Sequence, residues 1–254
     1  MLNIEIIPCL SDNYSYILHD DATETIGVVD PSEFKPIDDF ISKKFKKIDY
    51  ILNTHHHFDH VGGNKELKNK YKAKVVGSGT DKDRIPGINI LLSDNEIFNF
   101  GKIRFKIIFI PGHTKGHIAF YSNEEKVIFT GDTLFSLGCG KIFEGTYSQM
   151  FNSLNKIKSL PQDTKIYCGH EYTQKNLQFC LKYESNNKVL NKKLSLINDK
   201  LEHGLPTIPV TLEEELNTNI FLRCDNVGIK NNLKMVDSSD EVVFKKLRNL
   251  KDVF

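Results

Sequence analysis

Two different spacings of apolar residues divide this chain. In the longer, N-terminal part, short apolar runs separated by Gly, Pro, Asn and Asp predict β-strands. The run 102–110 begins with strict alternation and then becomes wholly apolar, as a strand does when it enters a core. The other predicted strands are 2–8, 14–19, 25–30, 49–53, 74–77, 117–122, 126–130 and 165–168. Helices are predicted at 36–45, 63–71 and 147–158, the last with apolar residues every three or four positions.

Beyond residue 171 the strand pattern gives way to a helical one. Three apolar stripes at helical spacing follow one another, at 177–181, 190–201 and 243–250. A Pro-containing loop at 204–209 comes after the second stripe, and we expect no further strand. The pattern therefore predicts an α/β domain at residues 1–172, followed by a small all-helical domain at residues 173–254.

Composition and charge exclude several classes of function. The chain has 34 Lys and Arg against 33 Asp and Glu, whereas nucleic-acid-binding proteins usually carry a basic excess. Its five cysteines form no CxxC pair, which favours free thiols in a reducing compartment. No apolar run approaches the roughly 20 residues that span a bilayer, and the N-terminal residues lack the features of a signal peptide. We expect a cytoplasmic protein with no nucleic-acid or membrane partner.

A histidine-rich segment follows the predicted strand 49–53. It reads Thr-His-His-His-Phe-Asp-His-Val-Gly-Gly from residue 54 to residue 63. In an extended segment, His55 and His57 can point the same way, and Asp59 and His60 can face a second point. Such a run could be a solvated loop, but the HxHxDH spacing followed by Gly-Gly favours a metal site. Imidazole and carboxylate are ligands that suit zinc, iron or manganese.

Three more candidate ligands stand where predicted strands end. His113 follows the strand 102–110, Asp132 follows 126–130, and His170 follows 165–168. Each is preceded by Gly, which allows the backbone to turn tightly. Any one of them alone would be an ordinary loop residue. The repeated strand–Gly–ligand arrangement predicts that they belong to the same site as the histidine-rich segment.

This set of residues resembles that of the metallo-β-lactamase superfamily, over residues 1–170. The resemblance implies an αββα sandwich with two divalent metal ions at one edge, zinc being the first choice and iron or manganese the alternatives. It implies seven ligands: His55, His57 and His113 for the first ion, Asp59, His60 and His170 for the second, and Asp132 between them. Two such ions lower the pKa of a shared water, so that hydroxide forms near neutral pH. Asp59 and Asp132 are the implied catalytic carboxylates.

Segments outside the ligand set resemble the glyoxalase II family of thioesterases. They are 137–146, 168–173 and 248–252, and with the helical tail the resemblance covers essentially the whole chain. It implies five contacts to a glutathione thioester: Lys141, Phe143, Tyr172, Arg248 and Lys251. Cations suit a tripeptide with two carboxylates. Phe143 stands where many members have Tyr, so we expect weaker binding or a relaxed substrate preference, not loss of activity.

The activity implied by this resemblance is hydrolysis of S-(2-hydroxyacyl)glutathione. The substrate expected above all is S-D-lactoylglutathione, cleaved by a metal-bridging hydroxide to glutathione and D-lactate in methylglyoxal detoxification. We expect a monomer. The alternatives are a mononuclear-iron glutathione persulfide dioxygenase, a diiron electron-transfer module, an RNA nuclease and a metal-binding protein without turnover. The intact His57 speaks against the electron-transfer module, and the balanced charge against the nuclease.

Other polar residues near the motifs have less specific roles. His56 lies inside the motif but should point away from the metals. Asp30 and His117 could orient ligands through hydrogen bonds. For Cys139, flanked by glycines, we expect a packing role, because the metal site already supplies a nucleophile.

Overall fold

Two six-stranded β-sheets form the body of the computed structural model, which describes all residues 1–254. The first sheet has its strands in chain order: β1 (Leu2–Cys9), β2 (Asn13–Asp20), β3 (Thr25–Val29), β4 (Tyr50–Leu52), β5 (Lys74–Ser78) and β6 (Ile88–Leu92). Strands β1 to β3 are antiparallel, and β3 to β6 are parallel. The first sheet is therefore mixed, with an antiparallel meander in one half and parallel strands joined by crossover connections in the other.

The remaining strands form the second sheet and a small ribbon. They are β7 (Ile97–Phe100), β8 (Ile103–Phe109), β9 (Ile118–Ser122), β10 (Val127–Gly131), β11 (Leu134–Phe135), β12 (Gly138–Cys139), β13 (Lys165–Cys168) and β14 (Val210–Thr211). The second sheet has the order β14-β13-β10-β9-β8-β7, and β11 pairs with β12 as a separate ribbon. Only β10 and β13 are parallel in it.

Aromatic side chains fill the space between the two sheets. Strand β8 alternates buried and exposed residues in its first half, so Phe105 points inward. Its ring lies 6.2 Å from those of Phe120 and Phe129 in the same sheet. Tyr16 of the first sheet packs on Phe129 across the interface, with ring centroids 5.4 Å apart. The sheets therefore share one apolar core.

Helices cover both outer faces of the sandwich. They are α1 (Phe34–Lys44), α2 (Phe58–Val61), α3 (Asn64–Tyr71), α4 (Tyr147–Lys158), α5 (Thr173–Tyr183), α6 (Lys188–Glu202), α7 (Leu212–Thr218), α8 (Val227–Asn232) and α9 (Asp240–Asp252). Ile37 of α1 and Leu67 of α3 pack on the first sheet. Leu154 of α4 and Phe244 of α9 belong to the core on the second sheet. The layers are thus α, β, β and α, as the resemblance implied.

The expectation of no strand beyond residue 171 is wrong. Strand β14 pairs antiparallel with β13, with Val210 opposite Ile166. It covers an edge whose backbone groups would otherwise be unpaired, and two residues are too few to show a period. Strands β6 and β7 were also not predicted. The division between residues 172 and 173 stays a prediction, because the core on the second sheet takes residues from both sides of it.

Strand directions bring the ligand-bearing loops to one edge of the sandwich. Strands β8 and β10 both run antiparallel to β9, and β13 runs parallel to β10, so these three end at the same edge. Strand β4 of the first sheet ends there too, because the Ile118 N–H at the start of β9 donates to the Thr54 carbonyl at 2.9 Å. No helix of the chain is both long enough and apolar enough to cross a membrane.

The core on the second sheet generates a stability prediction. Phe244 is fully buried against Phe151 and Phe221, with ring centroids 5.7 and 6.2 Å away. We expect Phe244→Ala to lower the free energy of unfolding by about 3–5 kcal/mol. Phe58→Ala, at a side chain 79% exposed, should change it by less than about 0.5 kcal/mol. Chemical denaturation of both variants measures this, and equal losses would contradict the assignment of Phe244 to the core.

Candidate metal centre

The first group of histidines comes from both sheets. His55 and His57 follow β4, and His113 follows β8. Their candidate ligand atoms all lie within 4.8 Å of one another, and His57 Nδ1 is 3.0 Å from His113 Nε2. Burial lowers the pKa of all three imidazoles, that of His57 to about 4. They are therefore neutral at pH 7, which is the form that binds a metal.

The second group lies beside the first. The candidate ligand atoms of Asp59, His60 and His170 lie within 4.8 Å of one another. Asp59 Oδ2 is 3.5 Å from His60 Nε2 and 3.4 Å from His170 Nε2. The four-residue helix α2 carries Asp59 and His60 on consecutive positions, whereas His170 comes from the end of β13. A histidine-rich segment and a distant loop thus meet at one point.

Asp132 lies between the two groups. Its Oδ2 is 3.4 Å from His113 Nε2 and 3.3 Å from His170 Nε2, and its Oδ1 is 3.3 Å from His60 Nε2. Burial alone would raise the pKa of Asp132, but His60 and His170 hold it well below its usual range. A single ionised carboxylate therefore faces both groups.

Hydrogen bonds orient the imidazoles so that one nitrogen of each faces the centre. The Nδ1 atoms of three histidines lie near oxygens: His60 to Asp30 Oδ2 at 3.0 Å, His113 to the Lys141 carbonyl at 2.7 Å, and His55 to Thr54 Oγ1 at 3.1 Å. Carboxylate and carbonyl oxygens only accept, and the Thr54 hydroxyl already donates to Asp30 at 2.6 Å. Each Nδ1 is then the protonated nitrogen, which leaves Nε2 free to bind a metal.

Unpaired atoms at the centre fit two cations. The buried atoms His55 Nε2, His60 Nε2 and Asp132 Oδ1 make no hydrogen bond, an arrangement that is costly unless a ligand satisfies it. Burial would lower the pKa of His170, but Asp132 and Asp59 raise it to about 10. Three imidazoles on one side and two imidazoles with two carboxylates on the other suit zinc, iron or manganese.

Two glycines make room for Asp132. Gly131 has φ of +46°, and a Cβ there would lie 2.3 Å from Thr54 Oγ1. Gly169 has no left-handed backbone, but a Cβ would lie 2.4 Å from Asp132 Oδ1. The tight turn expected before each ligand is therefore present before Asp132. Before His170, glycine is needed because the Asp132 carboxylate lies against the Gly169 backbone.

A cleft of about 550 Å³ opens above these residues. Its lining comprises five of the candidate ligands and five neighbours: His57, Asp59, His113, Asp132, Phe135, Lys141, Phe143, Glu144, His170 and Tyr172. Tyr172 stacks on His170 with ring centroids 4.7 Å apart. Phe143 is 61% exposed, with its ring 5.2 Å from that of His113. Lys141 Nζ lies 5.6 Å from the Phe143 ring centroid.

Arg248 and Lys251 lie outside this lining. Arg248 is buried, and its Nη1 donates to the Cys139 carbonyl at 2.7 Å. It thus supports the ribbon that leads to Lys141. Lys251 Nζ donates to the Lys175 carbonyl at 3.2 Å, and burial together with Arg248 lowers its pKa to about 8. Cys139 is a buried free thiol whose pKa burial raises, in keeping with a packing role.

Sequence reasoning missed a charged cluster at the rim of the cleft. His56 points away from the metal groups, and its Nδ1 lies 3.2 Å from Asp81 Oδ2. Arg84 bridges Asp81 and the cleft residue Glu144, with both contacts at 2.5 Å. The Glu144 carboxylate also accepts from the Lys115 N–H at 2.8 Å. Apart from Asp81 and Arg84, which are three residues apart, these partners are far apart in sequence, so no local spacing could have revealed the cluster.

The two parts of the chain match two family models. Residues 11–170 match the metallo-β-lactamase superfamily, and residues 171–254 match the hydroxyacylglutathione hydrolase C-terminus. The chain is 56% identical over 253 residues to the hydroxyacylglutathione hydrolase of Pelagibacter ubique, covering 100% of both chains. It therefore belongs to the hydroxyacylglutathione hydrolase family. The enzyme of that name from Methylococcus capsulatus is 42% identical, over 100% of this chain and 99% of its own.

Solved structures share the fold of this hydroxyacylglutathione hydrolase family member. The B3 metallo-β-lactamase BLEG-1 superposes with a TM-score of 0.67 at 21% identity, over 87% of this chain and 99% of its own. ETHE1 from Myxococcus xanthus superposes with a TM-score of 0.67 at 21% identity, over 98% of this chain and 91% of its own. TTHA1623, solved in a di-iron-bound form, superposes with a TM-score of 0.55 at 25% identity, over 65% of this chain and 90% of its own. The expected αββα fold is confirmed.

The close approach at Gly169 predicts a metal-binding defect. A methyl group in Gly169→Ala would displace Asp132, the residue between the two groups, so we expect loss of at least one bound metal ion per chain. Gly79→Ala is a matched control, because its Cβ would meet nothing nearer than 3.6 Å. Metal content measured after removal of excess Zn²⁺ tests this. Full metal content in Gly169→Ala would show that Asp132 is not needed where the structure places it.

Proposed function

We propose that this chain hydrolyses S-(2-hydroxyacyl)glutathione, S-D-lactoylglutathione above all, to glutathione and a 2-hydroxy acid. The observation that carries the proposal is the pair of ligand groups sharing Asp132 at the floor of a cleft, in a chain that is similar to hydroxyacylglutathione hydrolases over its full length. The protein acts as a monomer on a small molecule. Its five free thiols suit the cytoplasm, a reducing compartment.

His55, His57 and His113 would hold one divalent ion and Asp59, His60 and His170 the other, with Asp132 as a ligand to both. When bound, the two ions would lower the pKa of a shared water and polarise the thioester carbonyl. Zinc suits these ligands best, and iron and manganese are the alternatives. The di-iron form of TTHA1623 supports occupancy by two ions at such a site.

The chain's own residues then have three tasks in the reaction. Asp59 and Asp132 keep two negative charges beside the reacting atoms, and Asp132 holds the two groups in one geometry. The aromatic walls Phe143 and Tyr172 exclude water from the thioester. Because these groups are fixed before the substrate arrives, little reorganisation is needed when the oxyanion develops.

Glutathione binding is assigned to the side of the cleft that carries Lys141. The ammonium group of Lys141 stands free at the cleft and can pair with a carboxylate of the tripeptide. Tyr172 provides a flat wall beside it. Lys251 lies further out on α9, and Arg248 beneath the ribbon has a buried Nε without an acceptor. We propose that Lys251 completes the glutathione site and that Arg248 supports it from beneath, through its hydrogen bond to the Cys139 carbonyl.

The persulfide dioxygenase alternative is less favoured. Such an enzyme needs one iron, whereas here both ligand groups are complete and Asp132 faces both. The full-length identity to hydroxyacylglutathione hydrolases also favours hydrolysis.

Two thioesters distinguish the parts of this proposal. Zinc-loaded protein should hydrolyse S-D-lactoylglutathione and lose that activity on chelation. The same acyl group on a thiol without the glutathione carboxylates should react with a kcat/KM at least about tenfold lower, because even one charge-assisted hydrogen bond is worth roughly 1.5–3 kcal/mol. Equal turnover of both esters would remove the glutathione assignment. No turnover of either, with two ions bound, would remove the hydrolase.

Phe143 allows a test of the thiol-binding side. Phe143→Tyr adds a hydroxyl donor at the cleft, and one neutral hydrogen bond contributes about 0.5–1.5 kcal/mol, so KM for S-D-lactoylglutathione should fall by about 2- to 10-fold. Phe143→Leu, which adds no hydroxyl, should not lower KM. Steady-state kinetics measure both. An unchanged KM in Phe143→Tyr would contradict a substrate contact at this position.

A further inference from the structure

The turn between β1 and β2 reaches the metal centre. Strand β2 runs antiparallel to β3, which is parallel to β4, so the start of β2 lies at the edge where β3 and β4 end. Asp12 ends the turn, and Asn13 and Tyr14 are the first two residues of β2; the three are together termed the Asp12–Tyr14 turn. Residues 10–14 carry no histidine and no recognised motif. The directions of the strands therefore place this turn beside the metal centre, although its sequence gives no sign of it.

Two side chains of this turn contact two residues of the second group. Asp12 Oδ1 lies 2.8 Å from His170 Nδ1. Asn13 Nδ2 donates to Asp59 Oδ2 at 3.0 Å and to the Asp59 carbonyl at 3.2 Å. His170 Nδ1 donates this hydrogen bond to the carboxylate oxygen, and His170 Nε2 faces Asp59 and Asp132.

Backbone and tyrosine contacts fix the turn against the same loop. The Tyr14 N–H donates to the Gly169 carbonyl at 2.8 Å, and the Glu171 N–H donates to the Asp12 carbonyl at 2.8 Å. The Tyr14 hydroxyl donates to Glu171 at 2.7 Å. The residues on either side of His170 are thus held by this turn.

The contacts are selective for one of the two groups. The side-chain hydrogen bonds of Asp12, Asn13 and Tyr14 all go to the second group or its neighbours, and none goes to the first. In the first group, His113 and His55 are oriented by Lys141 and Thr54. The two groups therefore have separate supports.

We propose that the turn Asp12–Tyr14 is the positioning element of the second metal site, with Asp12 setting the orientation and tautomer of His170 and Asn13 fixing the carboxylate of Asp59. This rests on the two-metal site proposed above. Loss of a residue that orients a ligand in this way costs about 10- to 100-fold in metal affinity. The effect should fall on one ion only.

Stepwise Zn²⁺ affinities of the full chain, measured by competition with a chelator, test this. Asp12→Ala should weaken one of the two constants by about 10- to 100-fold and leave the other unchanged. The constant affected should be the one that His170→Ala weakens, and not the one that His55→Ala weakens. Asp12→Asn keeps an oxygen acceptor for His170 Nδ1, so it should restore part of the loss.

Asp38→Ala is the matched control. Asp38 also accepts side-chain hydrogen bonds, from Tyr71 at 2.6 Å and Lys70 at 2.6 Å, but it lies on α1 away from the site. Both of its Zn²⁺ constants should equal those of the wild type. Since Asp12 is 37% exposed, its replacement should leave the fold intact. If Asp12→Ala fails to fold, the smaller loss expected in one Zn²⁺ constant of Asp12→Asn is compared with the constants of His170→Ala and His55→Ala instead.

The outcomes separate this inference from the two-metal proposal. If the wild type binds two ions and the Asp12 variants lose both constants equally, or neither, the turn is not a positioning element. If the wild type binds a single ion, the two-metal proposal itself is wrong and the inference is wrong with it. A selective loss matching that of His170→Ala supports both.

Discussion

One buried carboxylate, that of Asp132, joins two groups of candidate metal ligands into a single cluster. It lies within 3.4 Å of imidazoles from both groups, and the surrounding backbone is built to keep it there. Gly131 takes a left-handed conformation, Gly169 leaves space for the carboxylate, and the Asp132 N–H donates to His117 Nε2 at 3.1 Å. His117 in turn stacks on His55. An error of one residue in the register of β10 would separate the groups.

The charge of the centre explains why so many residues around it are polar. Buried imidazoles and carboxylates are costly unless each is paired, and here different elements supply the partners. Asp30, which follows β3, accepts hydrogen bonds from His60 and Thr54. The Lys141 carbonyl accepts one from His113, and the Asp12 carboxylate accepts one from His170. The sandwich thus contributes rigid strand ends, while the loops between them complete the pairing. The C-terminal helices add Arg248, which supports the ribbon leading to Lys141.

Much of the fold and of the candidate site follows from local sequence. Long alternating runs such as 102–110 and helices such as 147–158 have a clear period, and their positions agree with the structure. The HxHxDH segment and the three strand–Gly–ligand positions are also local signals. What local sequence could not reveal are contacts between distant segments: Asp12 with His170, Arg84 with Glu144, and the burial of Arg248. Strand β14 also depends on a contact between distant segments, because it pairs with the edge of β13.

The central claim is that two metal ions share Asp132. A crystal structure of the zinc-loaded protein, with anomalous diffraction recorded on both sides of the zinc edge, tests it most directly. Two anomalous peaks are expected about 3.5–4 Å apart, one among His55, His57 and His113 and the other among Asp59, His60 and His170. Asp132 should lie at about 2.0–2.2 Å from both ions. A single peak, or two peaks with Asp132 bound to only one of them, would contradict it.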